Sequence, residues 1–400
     1  MEGYLLEWAN LLLRWAHVIT AIAWIGSSFY FVWLDNSLVR PDNQELLDKG
    51  VGGELWAVHG GGFYNPQKYL TAPKFLPEHL HWFYWEAYFT WMTGFALFTV
   101  LYLWNAGTYL VDKNVFPMTA TTAVLAALGF LIAGWIVYDQ ICRRFGERKD
   151  GSGDRIVGVL TSAWIVVAVY AACHIFSGRG AFLIVGAMIA TIMSANVAMW
   201  IIPGQRKMVA AMRAGETPDP IHGMRGKQRS VHNTYFTLPV LLVMLSNHYS
   251  MTYSHPQNWL VLIVLMAAGV LIREYFLLRH KGKNQIGYPI AGCALILAVA
   301  VWIAPPPRAA APEGAKVDFA AVEKVLQARC VQCHAAKPTL MPEAPKGVLL
   351  DSKDAVAQNA LKIYQQAVQQ KAMPIGNITN ITDEERAVLG AWYEAGAKTQ

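Results

Sequence analysis

Long apolar runs recur along the first three quarters of the chain and stop near Ala304. Each run is close to the ~20 residues that an α-helix needs to cross the hydrocarbon core of a bilayer. The approximate cores of the eight runs are residues 11–34, 81–104, 117–138, 156–176, 181–202, 234–249, 258–278 and 286–303. The pattern predicts an all-α fold, with an eight-helix transmembrane bundle.

The chain changes character after residue 304. Pro305, Pro306 and Pro307 open a Pro- and Ala-rich stretch. Consecutive prolines favour the stiff polyproline conformation, so this stretch predicts an extended linker. The sequence that follows is polar, as expected of a small soluble domain. We therefore divide the chain into a transmembrane domain (1–304), a linker (305–315) and a C-terminal domain (316–400).

The composition agrees with a membrane protein. Of 400 residues, 54% are hydrophobic and 15% are charged, whereas soluble domains carry about 25% charged residues. The 15 Trp, 17 Tyr and 16 Phe fit the enrichment of aromatic side chains where lipid meets water. The net charge of +6 is too small for a nucleic-acid footprint. We expect the lipid bilayer as a partner and no nucleic acid.

Basic residues lie almost entirely on alternate connections between the predicted spans. The connections after the first, third, fifth and seventh spans hold nearly all of them, and the other connections hold only Lys113 and Arg179. Because the basic side of a membrane protein faces the cytoplasm, both termini are expected to face outward. The N-terminus lacks the basic region of a cleaved signal peptide, so we expect the first span to remain as an anchor.

The C-terminal domain carries a specific cofactor motif. Cys330, Cys333 and His334 form the C-x-x-C-H pattern of c-type haem attachment, in which two thiols bond to the haem and the imidazole ligates the iron. The alternative is a zinc or redox C-x-x-C. The other three cysteines lie in or beside predicted spans and offer no second ligand pair. The motif predicts one covalent haem c.

Two helices are expected to flank this motif. Residues 317–329 form an amphipathic pattern that ends at the motif, and Thr382 with Glu385 predicts a capping box that opens a last helix through Trp392. This arrangement resembles a small class I cytochrome c domain. Haem c is attached on the outer side of the bacterial inner membrane. We therefore expect a multi-pass inner-membrane protein with both termini and this domain in the periplasm.

The second axial ligand of the haem c iron is expected between the two flanking helices. Met341 and Met373 are the candidates. Met341 lies too close in sequence to His334 to reach the opposite face of the haem easily. Met373 precedes the final helix and is followed by Pro374, which stiffens the loop. We therefore assign Met373 as the ligand; the alternative is a methionine that only packs against the ring.

Three histidines lie in predicted spans or at their edges, on the outer side: His17, His174 and His248. Ionisable groups inside a membrane are costly and usually functional. Two of these imidazoles could be the axial ligands of a non-covalent haem b, and Arg14 lies one turn from His17 to meet a haem propionate. The alternative, which stays open for each histidine, is a hydrogen bond to a neighbouring helix.

A connection of about 45 residues joins the first two spans, which is long for a linker and more typical of a binding loop. Its glycines, residues 60–62, would let the backbone approach a flat ligand closely. They lack the spacing and the flanking strand and helix of a nucleotide-binding fingerprint. Glu86 is expected a turn and a half into the second span, where a bare carboxylate is expensive.

The stretches HGGGFY (59–64) and LHWFYWEA (80–87), the eight spans and the outward C-x-x-C-H motif together resemble one family. The family is that of the bacterial membrane-bound urate oxidases, or urate hydroxylases, with a C-terminal cytochrome c domain. The resemblance covers essentially the whole chain. It implies oxidation of urate to 5-hydroxyisourate, with electrons leaving through haem c and then a soluble cytochrome c or a terminal oxidase, rather than reducing oxygen to peroxide.

With urate as substrate, we expect the anionic purine to bind at the inner mouth near the Gly-rich loop. An anion favours basic or donor groups, and the candidates are His59, His81, Arg229 and His232. Glu86 could manage protons. Electrons would pass through the predicted haem b to haem c.

Two other functions remain open at this point. An electron-transfer subunit of the quinol dehydrogenase type would have no purine site, and its haem c would be reduced only by quinol. A transporter with an appended cytochrome would take up urate without reducing the haem.

Overall fold

The computed structural model describes residues 2–70, 73, 75–147, 153–304, 318–341 and 343–399. Helices dominate these residues. Up to residue 304 they are α1 (Glu2–Ser37), α2 (Gln44–Asp48), α3 (Trp85–Phe98), α4 (Ala106–Tyr109), α5 (Ala120–Phe145), α6 (Gly153–Ile175), α7 (Gly178–Asn196), α8 (Ile202–Arg213), α9 (Pro220–Ser246), α10 (Ser250–Tyr253), α11 (Asn258–His280) and α12 (Gly287–Trp302). One π-helical turn, Thr99–Leu103, extends α3, and another, Val197–Ile201, joins α7 to α8. Each predicted span overlaps one of these helices.

Among the described residues, 5 helices are long and apolar enough to cross a membrane, by length and composition. They are Tyr4–Ser37, Ala120–Phe145, Gly153–Ile175, Gly178–Arg213 and Asn258–His280. Helix α12 is apolar but shorter. The arrangement fits a membrane protein built on an apolar helical bundle.

Helix α7 forms the centre of this bundle, with α3, α5, α6 and α9 packed around it. Its side chains are buried on all sides, as expected of a helix that is apolar around its whole circumference. Glycines let two neighbours approach closely. A Cβ on Gly134 of α5 would overlap Met188 of α7, and one on Gly186 of α7 would overlap Val243 of α9.

The connection between α1 and α3 contains two small antiparallel sheets, which the all-α prediction misses. Strands β1 (Val51–Glu54) and β4 (Gln67–Tyr69) pair with each other and enclose a hairpin of β2 (Ala57–His59) and β3 (Gly62–Tyr64). Gly60 and Gly61 form its turn with φ of 57° and 79°. A two-residue hairpin turn with positive φ at both positions suits the twist of the strands and favours glycine. The glycines therefore serve the turn.

Helix α3 begins four residues later than the predicted second span, at Trp85. His81 consequently lies outside the helix, in an exposed loop. Glu86 lies in the first helical turn rather than a turn and a half into it. A carboxylate in the first turn is stabilised by the partial positive charge of the helix N-terminus, which lowers the cost of that position.

Helix α9 begins fourteen residues earlier than the predicted sixth span. Asp219 is its N-cap, and the Asp219 side chain accepts a hydrogen bond from the N–H of Ile221 at 2.9 Å. Pro220 follows at the first helical position, where its missing N–H costs nothing. The helix therefore includes a polar first half, and Arg229 and His232 lie well inside it.

The C-terminal domain has a core of its own. Its helices are α13 (Phe319–Arg329), α14 (Lys353–Gln358), α15 (Ala360–Ile363), continued by a π-helical turn (Tyr364–Gln369), and α16 (Asp383–Glu394). Helices α13 and α16 pack together, with the rings of Phe319 and Trp392 6.2 Å apart. The predicted capping box of Thr382 and Glu385 is confirmed in both of its hydrogen bonds. The predicted linker, 305–315, lies outside the described residues.

Candidate functional site

A buried ion pair joins α5 and α9 near one end of the bundle. The side chains of Arg229 and Asp139 are only 3% and 8% exposed, and Arg229 Nη2 donates to Asp139 Oδ1 at 2.7 Å. Arg143 Nε lies 2.7 Å from Asp139 Oδ2. Two guanidinium groups therefore share one carboxylate. Arg143 is half exposed, so the positive charge left over lies at the edge of the bundle, where it can attract an anion.

A polar network extends this ion pair into the bundle. Arg229 Nη1 donates to Asn196 Oδ1 at 2.9 Å, and Asn196 Nδ2 donates to Asn233 Oδ1 at 2.9 Å and to the Tyr138 hydroxyl at 3.1 Å. The Tyr138 hydroxyl lies 2.8 Å from His232 Nδ1. Because the Tyr138 oxygen accepts from Asn196, its own proton is available for His232. The network thus orients the imidazole.

The π-helical turn Val197–Ile201 brings Trp200 to the ion pair. The Trp200 Nε1–H donates to Asp139 Oδ1 at 2.7 Å, and the guanidinium carbon of Arg229 lies 4.3 Å from the centre of the indole ring. The second contact is a cation–π interaction. Pro203 follows in the first turn of α8 and has no N–H to continue the helical hydrogen bonding. Turns of this kind are frequent at functional sites.

A cavity of about 340 Å³ opens beside Trp200. Its volume lies within the range of about 300–1,000 Å³ that is usual for small-molecule sites. Its walls come from α5, the π-helical turn, α8 and the start of α9. The chemistry-bearing residues among the lining are Trp135, Trp200, Arg143, Lys207, Arg225 and His222. The cations of the lining, together with the adjacent Arg229, face the carboxylates of Asp139 and Glu147. Arg225 donates to both oxygens of Glu147, from Nε at 2.7 Å and from Nη2 at 2.9 Å. The remaining positive charge suits a flat anion. We refer to this cavity as the Trp200 cavity.

Of the residues predicted to bind substrate, the structure brings two to this site. Arg229 and His232 belong to the network next to the Trp200 cavity. His59, at the end of β2, and His81 are exposed, and Glu86 lies in the first turn of α3. None of these last three lines the Trp200 cavity.

Sequence reasoning missed Asp139, Asn196 and Trp200. The predicted third span ends at residue 138, one position before Asp139, so the apolar pattern assigns this carboxylate to a connection. Asn196 is an amide in the last third of the predicted fifth span. A polar residue within an apolar run usually has a partner or a function, and that signal was available.

His17, the first histidine predicted to bind haem b, packs against α3. Its Nδ1 lies 3.1 Å from the carbonyl oxygen of Thr90 and 3.3 Å from Thr93 Oγ1. Gly94 provides the space, since a Cβ there would lie 2.8 Å from His17 Cε1. Arg14 donates to Asn10 Oδ1 on the same helix at 3.1 Å. The contacts of His17 with α3 are of the kind that the alternative to a haem b ligand describes, a hydrogen bond to a neighbouring helix.

The other two histidines have different surroundings. His174 Nδ1 lies 2.7 Å from the carbonyl oxygen of Tyr170, one turn earlier in α6. His248 is exposed in the turn after α9. No hydrogen bond or ring contact joins any two of the three histidines in the part of the chain that the structure describes. The haem b site stays a prediction.

The C-x-x-C-H motif forms a tight turn at the end of α13. The N–H groups of Cys333 and His334 both donate to the carbonyl oxygen of Cys330, at 3.1 and 2.9 Å. His334 Nδ1 lies 2.9 Å from the carbonyl oxygen of Val348. A histidine that donates its Nδ1–H to a carbonyl keeps Nε2 for a metal ion. The two thiols and this imidazole fit the donor set of haem c.

Burial changes the acidity of the two thiols. It raises the pKa of Cys330 to about 12 and the pKa of Cys333 above its usual value. Both thiols are therefore protonated at neutral pH. This weighs against a redox C-x-x-C, which needs a stabilised thiolate.

Met373 lies on a loop that α16 holds in place. Its N–H donates to the carbonyl oxygen of Gln366 at 3.0 Å, and its own carbonyl accepts from Arg386 Nη1 at 2.8 Å. Arg386 is buried. Both backbone groups of Met373 are thus fixed, as expected of a residue that must present a thioether in one position. Met341 lies in a turn beyond the motif.

We expect Met373→Ala to lower the reduction potential of haem c, and Met341→Ala to leave it unchanged. Thioether ligation favours ferrous iron, and axial ligands set haem potentials over a span of about 0.8 V. A redox titration of the purified protein, followed in the visible spectrum, measures the effect. A lower potential in Met341→Ala alone would move the ligand to Met341.

Comparison with known proteins supplies a family. A family model described as urate oxidase N-terminal matches residues 3–304. This range contains the helical bundle and the Trp200 cavity, and it ends before the C-terminal domain. No curated protein and no solved structure matches the chain.

Proposed function

Because the chain belongs to the urate oxidase N-terminal family, we propose that this urate-related oxidoreductase oxidises urate to 5-hydroxyisourate in the Trp200 cavity. The lining of the cavity is the observation that carries the proposal. It combines two indole rings, Trp135 and Trp200, with the cationic groups of Arg143, Lys207 and Arg225. Urate is a flat purine that is anionic at neutral pH, so its shape and its charge both match this lining.

The reaction requires water and an electron acceptor. One urate and one water give one 5-hydroxyisourate, two protons and two electrons, with the new C–O bond at purine C5. The protein must therefore hold the anion, accept protons and admit water. The attached haem c supplies one-electron acceptance, and a soluble cytochrome c or a terminal oxidase takes the electrons on.

The groups in the cavity divide these tasks. Lys207 and Arg225 bind the anionic purine, and Glu147 orients the Arg225 guanidinium by accepting from its Nε and Nη2. The Asp139–Arg229 pair holds Trp200 in place. His222 lines the cavity and accepts a proton from the bound purine or the attacking water, since an imidazole nitrogen is the commonest general base in enzymes. His232, held by the Tyr138 hydroxyl, keeps the polar network behind the cavity in place.

The other predicted residues act at the inner mouth in this proposal. His59, His81 and Glu86 belong to the long connection between α1 and α3 or to the foot of α3, where they receive urate and release protons. The Arg213 side chain links α8 to this connection by donating to the Glu78 carbonyl at 2.8 Å. This bond fixes the connection against the end of α8, outside the lining of the cavity.

The proposed orientation places the Trp200 cavity on the cytoplasmic side and the C-terminal domain in the periplasm of a bacterial inner membrane. Two features support it. The region between the predicted fifth and sixth spans, residues 203–233, is one of those rich in Lys and Arg, and its Lys207 and Arg225 line the cavity. Haem c is attached outside the cytoplasm, where the cytochrome c-like domain would then lie.

Substitution of Arg225 tests the substrate site, with Arg213 as a matched control. Both arginines lie in the same basic region of the chain, but only Arg225 lines the cavity. We expect Arg225→Gln to raise the KM for urate about 10-fold or more, since a hydrogen bond to a charged group contributes about 1.5–3 kcal/mol. Arg213→Gln should change the KM less than twofold. Steady-state urate oxidation with an added cytochrome c as acceptor measures both.

Equal effects of the two arginine substitutions would indicate general electrostatic attraction and contradict a specific site.

Glu86→Gln distinguishes the inner mouth from the cavity. It should lower turnover without altering the haem spectrum. A KM increase in Glu86→Gln that exceeds the increase in Arg225→Gln would place the purine at the foot of α3 instead.

A further inference from the structure

The C-terminal domain touches the bundle through the loop that follows Met373. Gly376 lies in this loop, in the short 3-10 turn Ile375–Asn377, with a φ of 57°. A Cβ on Gly376 would lie 2.5 Å from the carbonyl oxygen of Thr108 and 3.2 Å from that of Val111. Real Cβ atoms do not approach a backbone oxygen so closely. Only glycine therefore allows the two backbones to meet here.

A second contact lies beside the first. Ser250 Oγ, at the start of α10, donates to Gln370 Oε1 at 3.4 Å. Between the two parts of the chain lies a cavity of about 700 Å³. The bundle contributes Asp112, His174 and Arg179 to its lining, and the C-terminal domain contributes Lys371, Asn377 and Arg386.

The character of this interface indicates a reversible contact. The backbones approach closely at Gly376, and much of the adjoining cavity is lined by charged and polar groups, among them Asp112, Arg179 and Lys371. Polar, incompletely packed interfaces are typical of domains that separate and rejoin. Tight permanent interfaces are apolar and packed like a protein interior.

The elements that meet here belong to the electron path of the proposed function. The loop with Gly376 continues directly from Met373, the proposed iron ligand. On the bundle side, the lining comes from the connections at α4, at the start of α7 and around α10. These are the connections that the charge pattern assigns to the outer side. Helix α7 then runs from this interface to the π-helical turn of the Trp200 cavity, 19 residues or roughly 28 Å away.

We propose that the Ile375–Asn377 loop is the docking contact through which the C-terminal domain receives electrons from the transmembrane domain. Gly376 is the residue that permits the approach. The proposal rests on the proposed function for the source of the electrons: each urate oxidised supplies two, which the domain accepts singly. The loop docks on the surface of the bundle around α4 within the same chain.

Gly376→Ala tests the contact, with Gly396→Ala as the matched control. Both glycines lie in the C-terminal domain and have positive φ, 57° and 96°, so alanine is strained at both. A Cβ on Gly396 has nothing within 4 Å. Only the substitution at position 376 should therefore disturb docking.

A cross-link measures docking without any turnover. Ser250→Cys and Gln370→Cys place two thiols where the present side chains meet, and a short bismaleimide can join them. Cys293 is exposed and is replaced by Ser in all variants, whereas Cys142 and Cys173 are buried. We call the Ser250→Cys, Gln370→Cys, Cys293→Ser protein the parent. We expect a high yield of cross-linked protein in the parent and in the parent with Gly396→Ala. The yield should be at least about 10-fold lower in the parent with Gly376→Ala.

The second readout is the rate at which urate reduces haem c, followed by stopped-flow absorbance. We expect it to fall at least about 10-fold in Gly376→Ala and less than twofold in Gly396→Ala. Reduction by ascorbate, which reaches the domain directly, should be equal in all variants. Unchanged cross-linking in Gly376→Ala, or lost cross-linking with an unchanged rate of reduction by urate, would overturn the proposal.

Two further outcomes remain informative. If Gly376→Ala fails to retain haem, the Ser250→Cys, Gln370→Cys protein is cross-linked and tested instead. Reduction of its haem by urate at the rate of the uncross-linked protein supports the docking proposal. Loss of this reduction overturns the proposal. If urate reduces the haem in no variant, the proposed function fails. The Gly376 contact is then still supported by a specific loss of cross-linking and overturned by its persistence.

Discussion

Replacing both Cys330 and Cys333 by alanine should abolish the haem that stays on the chain in a denaturing gel. The two thioether bonds are the covalent attachment in c-type cytochromes, so no other residue can retain the haem under those conditions. Urate-dependent reduction of an added cytochrome c should fall to background with it. The transmembrane domain should still insert, because its core around α7 is separate from the core of the C-terminal domain.

The control for this double substitution is Cys293→Ser. Cys293 is exposed on α12 and belongs to neither site, so haem staining and activity should equal those of the unsubstituted protein. Covalent haem in the Cys330→Ala, Cys333→Ala protein would contradict the attachment site. Full urate oxidation without covalent haem would contradict the route of the electrons.

Replacing Arg229 by methionine should be the most destabilising single substitution in the bundle that we predict. It leaves Asp139 buried with Arg143 alone, and breaking a buried ion pair costs about 3–5 kcal/mol. This is a large part of the total of about 5–15 kcal/mol that is usual for a folded domain. Urate oxidation should be lost as well, because Trp200 depends on the same carboxylate for its position.

A second substitution separates charge from packing. Adding Asp139→Asn to Arg229→Met removes the orphaned carboxylate, so part of the lost stability should return. Thermal unfolding in detergent, with Arg213→Met as an exposed control, measures the series. A double variant less stable than Arg229→Met would mean that Asp139 stabilises the bundle independently of Arg229.

The helices of the bundle were predictable because apolar runs of membrane-spanning length leave the chain few alternatives. Their ends were less so. The first half of α9 contains Arg225 and Arg229, which an apolarity criterion places outside a span. Yet a helix can continue beyond the apolar region when a cap such as Asp219 begins it. The start of α3 was misplaced for the opposite reason, since aromatic residues of the preceding loop resemble a helix interior.

The candidate site was predictable only in part. Arg229 and His232 were singled out as basic residues near a span, and the structure places both in the buried network. Their partners Asp139 and Asn196 come from other helices, and helix neighbours follow from tertiary packing that one sequence does not encode locally. The glycines 60–62 illustrate an ambiguity, because the hairpin turn that Gly60 and Gly61 form requires the same conformational freedom as close contact with a ligand.

The π-helical turn Val197–Ile201 makes the length of the chain critical at this point. Such a turn holds one residue more than an α-helix would, while each α-helical residue advances the chain by about 100°. A chain that lacked one residue here would form a single regular helix, with α8 rotated by about 100° relative to α7. Lys207 and Gly204 would then turn away from the cavity. A one-residue gap at this position therefore separates sequences that can build the Trp200 cavity from sequences that cannot, even where every lining residue is present.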